Sequence, residues 1–191
     1  MPLAHFTNIE TAMNLHEPIY KNLFEVRIKL PTALTANNPP DIATKLLMEN
    51  AIKVSLPIYP DLAVQTQRFK YSTRLYPTTP EETSLKAQEI QFNLNQDKTS
   101  NSVFVFRMLK DWYDLVWNNE TGQLSYKRNL MSPMVTIDVH DREGRVIRRV
   151  NWINVWIVNF TGFEDFDWST GDIQNPLTAK FAVDYWNDLY Y

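Results

Sequence analysis

The sequence predicts a mainly β domain built around one helix. Two observations carry this. Apolar and polar residues alternate with a period of two in several separate segments, as they do in strands that bury one face. Apolar residues recur at spacings of four, three and four in one segment only, about 102–117. The 191 residues suit one domain with a sizeable core.

Residues 1–21 are weakly patterned and read as an N-terminal arm before a single β domain, 22–191. Phe24, Val26, Ile28 and Leu30 alternate with Glu25, Arg27 and Lys29, which predicts a strand with one dry and one wet face. Residues 31–50 read as an extended loop, because Asn37-Asn38-Pro39-Pro40 is turn chemistry, with a short helical turn over Ile42–Met48. A connection of that length tends to be functional or disordered, and Leu46, Leu47 and Met48 make it too apolar for a solvated linker.

A short strand is expected over 51–57 and a long one over 62–76, the latter with polar residues on both faces. Ile90, Phe92 and Leu94 mark a further strand. The helix follows, capped by Asn101 or Ser102, with Val105, Leu109, Trp112 and Val116 along one side. Gly122 suits the left-handed turn beyond it. Val135, Ile137 and Val139 open the last third, Asp141–Gly144 reads as a hairpin turn, and 145–160 returns as an apolar strand. An acidic loop with Glu164, Asp165, Asp167 and Asp172 precedes a final strand, Leu177–Trp186. The expected core anchors are Phe24, Trp112, Trp156, Phe181 and Tyr185.

Composition narrows the function. Without cysteine there is no disulfide, thiolate metal site or cysteine nucleophile. Four glycines and no phosphate-loop or dinucleotide pattern leave nothing to cradle a phosphate. His5, His16 and His140 lack ligand spacing, so no metal or cofactor is expected. The carboxylates at 164, 165 and 167 read as a solvated turn, not as catalytic acids, and no catalytic residue is expected. A net charge of −3 does not suit a protein that grips nucleic acid. Neither a signal peptide nor a membrane-spanning run is visible, which suggests assembly in the cytoplasm of whatever cell makes the protein.

Charge is unevenly placed. Lys127, Arg128, Arg142, Arg145, Arg148 and Arg149 crowd one stretch, and six acids lie between Glu164 and Asp188. Two readings stand: paired surfaces within one subunit, or complementarity between copies, with Arg145, Arg148 and Arg149 facing Glu164, Asp165 and Asp167 of a neighbour.

Five segments, in order, resemble the tail tube proteins of contractile-tailed bacteriophages. These are Asn22–Ile28, Val54-Ser55-Leu56-Pro57, the helix end Leu109-Lys110-Asp111-Trp112, the loop Phe163–Trp168, and the last strand Phe181-Ala182-Val183-Asp184-Tyr185-Trp186. The family also includes baseplate tube initiators and the type VI secretion tube protein. The resemblance implies an antiparallel β-sandwich or partial barrel with one flanking helix, contributing strands to a large oligomeric barrel. It implies a structural virion protein of the tail, not an enzyme: a homo-hexameric ring that stacks on further rings into a hollow tube. The partners implied are the tail sheath protein outside, a baseplate hub and a tail terminator at the ends, and genomic DNA passing through the lumen without specific binding; no membrane is involved. Leu46, Leu47 and Met48 are then candidates for ring stacking. A wide aqueous barrel needs roughly sixteen strands, about twice the seven or eight expected here, so several copies must share the wall. A baseplate tube initiator or secretion-type tube protein is the near alternative. A carbohydrate-binding β-sandwich, with exposed aromatics in loops at one end, is the distant one.

Overall fold

The structure, a computed structural model, describes residues 20–35, 40–56, 64–77, 87–94, 104–161 and 176–191. The N-terminal arm up to residue 19, the proposed cap at 101 or 102, and Glu164, Asp165 and Asp167 lie outside the described residues.

Six strands form one antiparallel sheet: β1 (Phe24–Ile28), β8 (Ser132–His140), β9 (Val146–Phe160), β10 (Leu177–Tyr190), β5 (Gln88–Phe92) and β2 (Ala51–Val54), in that spatial order. The sheet curls until its two outer strands, β1 and β2, touch, which makes a nearly closed barrel. Helix α2 (Pro40–Asn50), preceded by the short helix α1 (Thr32–Thr35), packs on β1. Ala43 and Leu47 of α2 enter the core, and the Thr44 hydroxyl donates to the Ile28 carbonyl at 3.0 Å. That bond satisfies a backbone group on the open side of β1, one way to blunt a strand edge.

The mid-chain helix α3 (Phe104–Val116) lies against β9. Val105, Met108, Leu109 and Trp112 are buried, the face expected from spacing with Met108 added. Trp112 stacks at a tilt on Phe181, 5.5 Å between ring centroids, and its indole N–H donates to the Leu130 carbonyl at 2.8 Å. Phe106 and Tyr113 meet Phe160 edge-on at 5.7 and 5.9 Å. A small hairpin, β6 (Trp117–Asn118) and β7 (Gln123–Leu124), and the short helix α4 (Lys127–Leu130) lead into β8. Gly122 takes a φ of 65° between β6 and β7.

The β8–β9 turn is where the sequence placed it. The Asp141 carboxylate accepts from the backbone N–H of Glu143 and Arg145 at 2.9 and 2.8 Å, and Gly144 has a φ of 80°. Strand β9 is long enough to belong to both halves of the barrel. Its buried apolar residues are Val150 and Trp152 before Asn154 and Val155 and Ile157 after it. The buried set thus changes parity at Asn154, the one described non-glycine residue with positive φ, at 54°. Only Asn and Asp among polar residues take that conformation readily.

Four expectations are corrected. The flanking helix is not alone, since three more helical segments exist among the described residues. Residues 31–50 are not an extended loop: α1 and α2 occupy most of the segment, because Ala43 and Leu47, one helical turn apart, can share a buried face. The single strand over 62–76 is a hairpin, β3 (Val64–Phe69) and β4 (Ser72–Pro77), forming its own two-stranded sheet. Tyr185 is not a core anchor, being 56% exposed although Phe181 on the same face is fully buried, because β10 runs past the end of the core. Phe24 and Trp156 are half-buried, and Phe24 packs against the core.

Candidate assembly interface

Three regions of the surface stand out. The first is the β3–β4 hairpin. Its register, Val64 opposite Pro77 to Phe69 opposite Ser72, leaves a two-residue link, Lys70-Tyr71. Every side chain from Val64 to Tyr76 is exposed, on both faces, and Tyr71 at the tip is 89% exposed. Val64, Thr66 and Arg68 share one face with Leu75 and Thr73; Gln65, Gln67 and Phe69 share the other with Tyr76 and Arg74. The Arg74 guanidinium lies over the Phe69 ring at 5.6 Å and the Lys70 ammonium over Tyr71 at 5.4 Å. A lone two-stranded hairpin is marginal in water. This one has apolar side chains on both faces and covers neither.

The second surface is the polar face of β1, β8 and β9. Asp138 is fully buried there. Arg149 grips it from β9 with Nε–Oδ1 at 2.5 Å and Nη2–Oδ2 at 2.9 Å, and Arg27 reaches it from β1. Glu25 pairs with Arg27 at 2.9 Å and lies 3.6 Å from His140. Beside this group the Thr136 hydroxyl donates to Asn151 at 3.0 Å. Burial works against the Asp138 charge, but the hydrogen bond from Arg149 and the charges of Arg149, Arg27 and His140 outweigh it and hold the carboxyl below its usual pKa. The same hydrogen bond raises the pKa of Arg149.

The third is the far end of β10, where Tyr185, Leu189, Tyr190 and Tyr191 are exposed. Arg148 pairs with Asp188 through Nε at 2.9 Å and Nη2 at 2.6 Å and stacks on Tyr190 at 5.6 Å; Arg149 stacks on Tyr191 at 5.7 Å.

The structure separates the sequence candidates. Leu47 is 0% exposed within its own subunit, so it has no surface to offer another ring, while Leu46 and Met48 are half-buried. Arg148 and Arg149 are used inside the chain by Asp188 and Asp138, and Arg145 pairs with Glu143. Lys127 meets Asp184 at 2.5 Å and lies over the Trp156 ring at 4.6 Å. These four cations have carboxylate partners within the chain, while Glu164, Asp165 and Asp167 lie outside the described residues. Sequence reasoning missed the hairpin as a separate projecting element. The signal was present: a strand with no dry face has no core to pack on.

Among the described residues, no three His, Asp or Glu gather as a metal would require. No described tryptophan is exposed; the exposed aromatics in links are Tyr71 at the hairpin tip and Tyr126 between β7 and α4.

No protein-family model matches the chain, and no curated protein matches it. Solved structures do. A chain of the sheath–tube complex of an extracellular contractile injection system (PVC) in the extended state superposes with a TM-score of 0.55 at 14% identity, covering 97% of this chain and 100% of that one. A chain of the anti-feeding prophage (AFP) baseplate superposes with a TM-score of 0.54 at 11% identity, covering 92% and 97%. The protein therefore has the fold of components of these two assemblies, over nearly its whole length and theirs, and the resemblance to tube proteins read from its sequence holds at the level of fold.

Proposed function

We propose that this protein is a tube-forming structural subunit of a contractile tail or injection particle: six copies close into a ring, and rings stack into the hollow inner tube. The hairpin β3–β4 carries the reading, as an element that exposes apolar side chains on both faces and that a neighbouring copy would cover. The shared fold supports it, since both solved counterparts belong to multi-subunit particles. A heterologous contact that closes by rotation makes a ring, and repetition along the axis makes a tube. The partners that follow are further copies, a sheath outside, and baseplate and terminator components at the ends. In a phage tail the lumen would pass the genome, and a chain of net charge −3 suits a wall that phosphate slides past.

The baseplate counterpart, nearly as similar as the sheath–tube one, favours a second reading in which the chain is a tube initiator at the baseplate. Negative-stain microscopy of the purified protein at high concentration separates the outcomes. Long rods support the main tube subunit and single or few-ring stacks the initiator. A lone 22.5 kDa particle, with or without a nucleating hub, overturns both.

A further inference from the structure

We propose that the β3–β4 hairpin docks electrostatically, as a cationic arm, on a second copy of this chain, whose residues outside the hairpin carry a net charge of −6, so that assembly is gated by ionic strength. The inference rests on the tube-subunit reading and specifies the chemistry of its contact. Between Val64 and Pro77 the sequence holds Arg68, Lys70 and Arg74 and no acidic residue. The chain's net charge is −3, so the hairpin's +3 faces −6 on the rest of a neighbouring copy.

The three cations are placed to reach a partner. Arg68 and Arg74 stand on opposite faces of the ribbon and Lys70 in its link. Other arginines on the sheet, Arg27, Arg148 and Arg149, are held by carboxylates of their own subunit. Among the described residues no ion pair involves Arg68, Lys70 or Arg74; Lys70 lies over the ring of Tyr71 and Arg74 over that of Phe69. A guanidinium resting on an aromatic ring is pre-oriented and keeps its N–H edge free for a carboxylate. Phe69, Tyr71 and Leu75 then add apolar area once the charges have aligned the surfaces. Nucleic acid is the other polyanion such an arm could meet, but the −6 on the remainder of the chain repels it and attracts a sister copy.

The test compares the full chain with R68Q/K70Q/R74Q, three exposed positions, after circular dichroism and thermal melting confirm that both fold alike. Light scattering and sedimentation then give the critical concentration for assembly at about 0.1 M and about 1 M salt, over which the screening length falls from ~10 Å to ~3 Å. The expected result is a critical concentration about tenfold higher at the higher salt for the native chain, and a similar rise for the triple variant at low salt with little further response to salt. A variant that assembles like the native chain, or native assembly that strengthens with salt, overturns the electrostatic arm and leaves the tube reading standing. A native chain that stays monomeric throughout overturns the tube reading, and the arm with it. Tight binding of a short duplex DNA that disappears in the variant, without any change in self-assembly, also overturns the proposal.

Discussion

Arg149 and Asp138 face each other across the β8–β9 ladder, and two hydrogen bonds of 2.5 and 2.9 Å join the guanidinium to a carboxylate with no solvent exposure. Arg27 approaches the same carboxylate from β1, so one buried anion ties three adjacent strands. β1 is an outer strand of the sheet, and among the described residues β8 is the one strand hydrogen-bonded to it. The Asp138 clamp and the Thr44 bond to Ile28 add to its backbone ladder with β8, one on each side of the strand.

Asp138→Asn should be among the most costly single changes on the polar face. It removes the anion and leaves two arginines without their shared partner. Breaking a buried pair costs about 3–5 kcal/mol, and the lower end applies because both guanidiniums reach solvent. The pH dependence has a definite sign. The Asp138 pKa is depressed in the folded protein, so the unfolded chain binds the proton more readily and stability falls as pH falls. The contribution is complete above the unfolded value of about 3.9 and is lost as pH drops through the folded value. Urea titrations of both proteins at neutral pH and below pH 4 should show a gap that narrows with acidification. A constant gap would show that Asp138 acts through packing alone.

Two buried tryptophans should respond differently to the same change. Trp112 and Trp152 are both fully buried, but the Trp112 indole N–H donates to Leu130 whereas the Trp152 N–H has no acceptor. Trp→Phe removes similar volume at each site. At position 112 it also strips the Leu130 carbonyl of its donor, and at position 152 it removes an unsatisfied donor. Trp112→Phe should therefore cost about 1–3 kcal/mol more than Trp152→Phe in denaturant unfolding. Equal losses would show that a water or a rearranged neighbour satisfies Trp152.

Phe181→Ala and Tyr185→Ala should diverge although the two residues lie on one face of β10. Phe181 is sealed between β5, β9 and Trp112, and its truncation should cost about 3–5 kcal/mol. Tyr185 lies beyond the core, so its truncation should stay within about 0.5 kcal/mol for the monomer. Thermal melts of dilute protein give both values. A large loss at Tyr185 would mean that the strand end is covered in solution.

What could be read from the sequence was whatever is local. The alternation from Phe24 to Leu30, the helix face through Trp112, and the Asp141–Gly144 turn each depend on neighbours within a few residues, and each is found as expected. What escaped depends on register or on an unusual turn. The Lys70-Tyr71 link has no Asn-Gly or glycine signal, and neither residue takes the positive φ that such signals announce, so the hairpin looked like one strand. The alternation through Tyr185 was extended past the level of Asn154, where the buried parity reverses on β9. Arg148 and Asp188 are forty residues apart, and only the β9–β10 register, which sets Tyr190 against Arg148, makes them neighbours. Most of the candidate interface belongs to this second class.

Removing two segments of similar length should separate folding from assembly. Replacing residues 64–77 by a short Gly-Ser link deletes a two-stranded sheet with no buried side chain among its described residues, so the melting temperature should move by no more than about 3 °C. Polymers visible by negative stain should be lost with it. Replacing residues 40–50 removes Ala43 and Leu47 from the core and opens the contact between α2 and β1, and that variant should not give a cooperative melt at all. A hairpin deletion that melts far lower would mean the ribbon packs on its own subunit. One that still forms rods of native length would move the essential contact to the β10 end or the polar face of β1, β8 and β9.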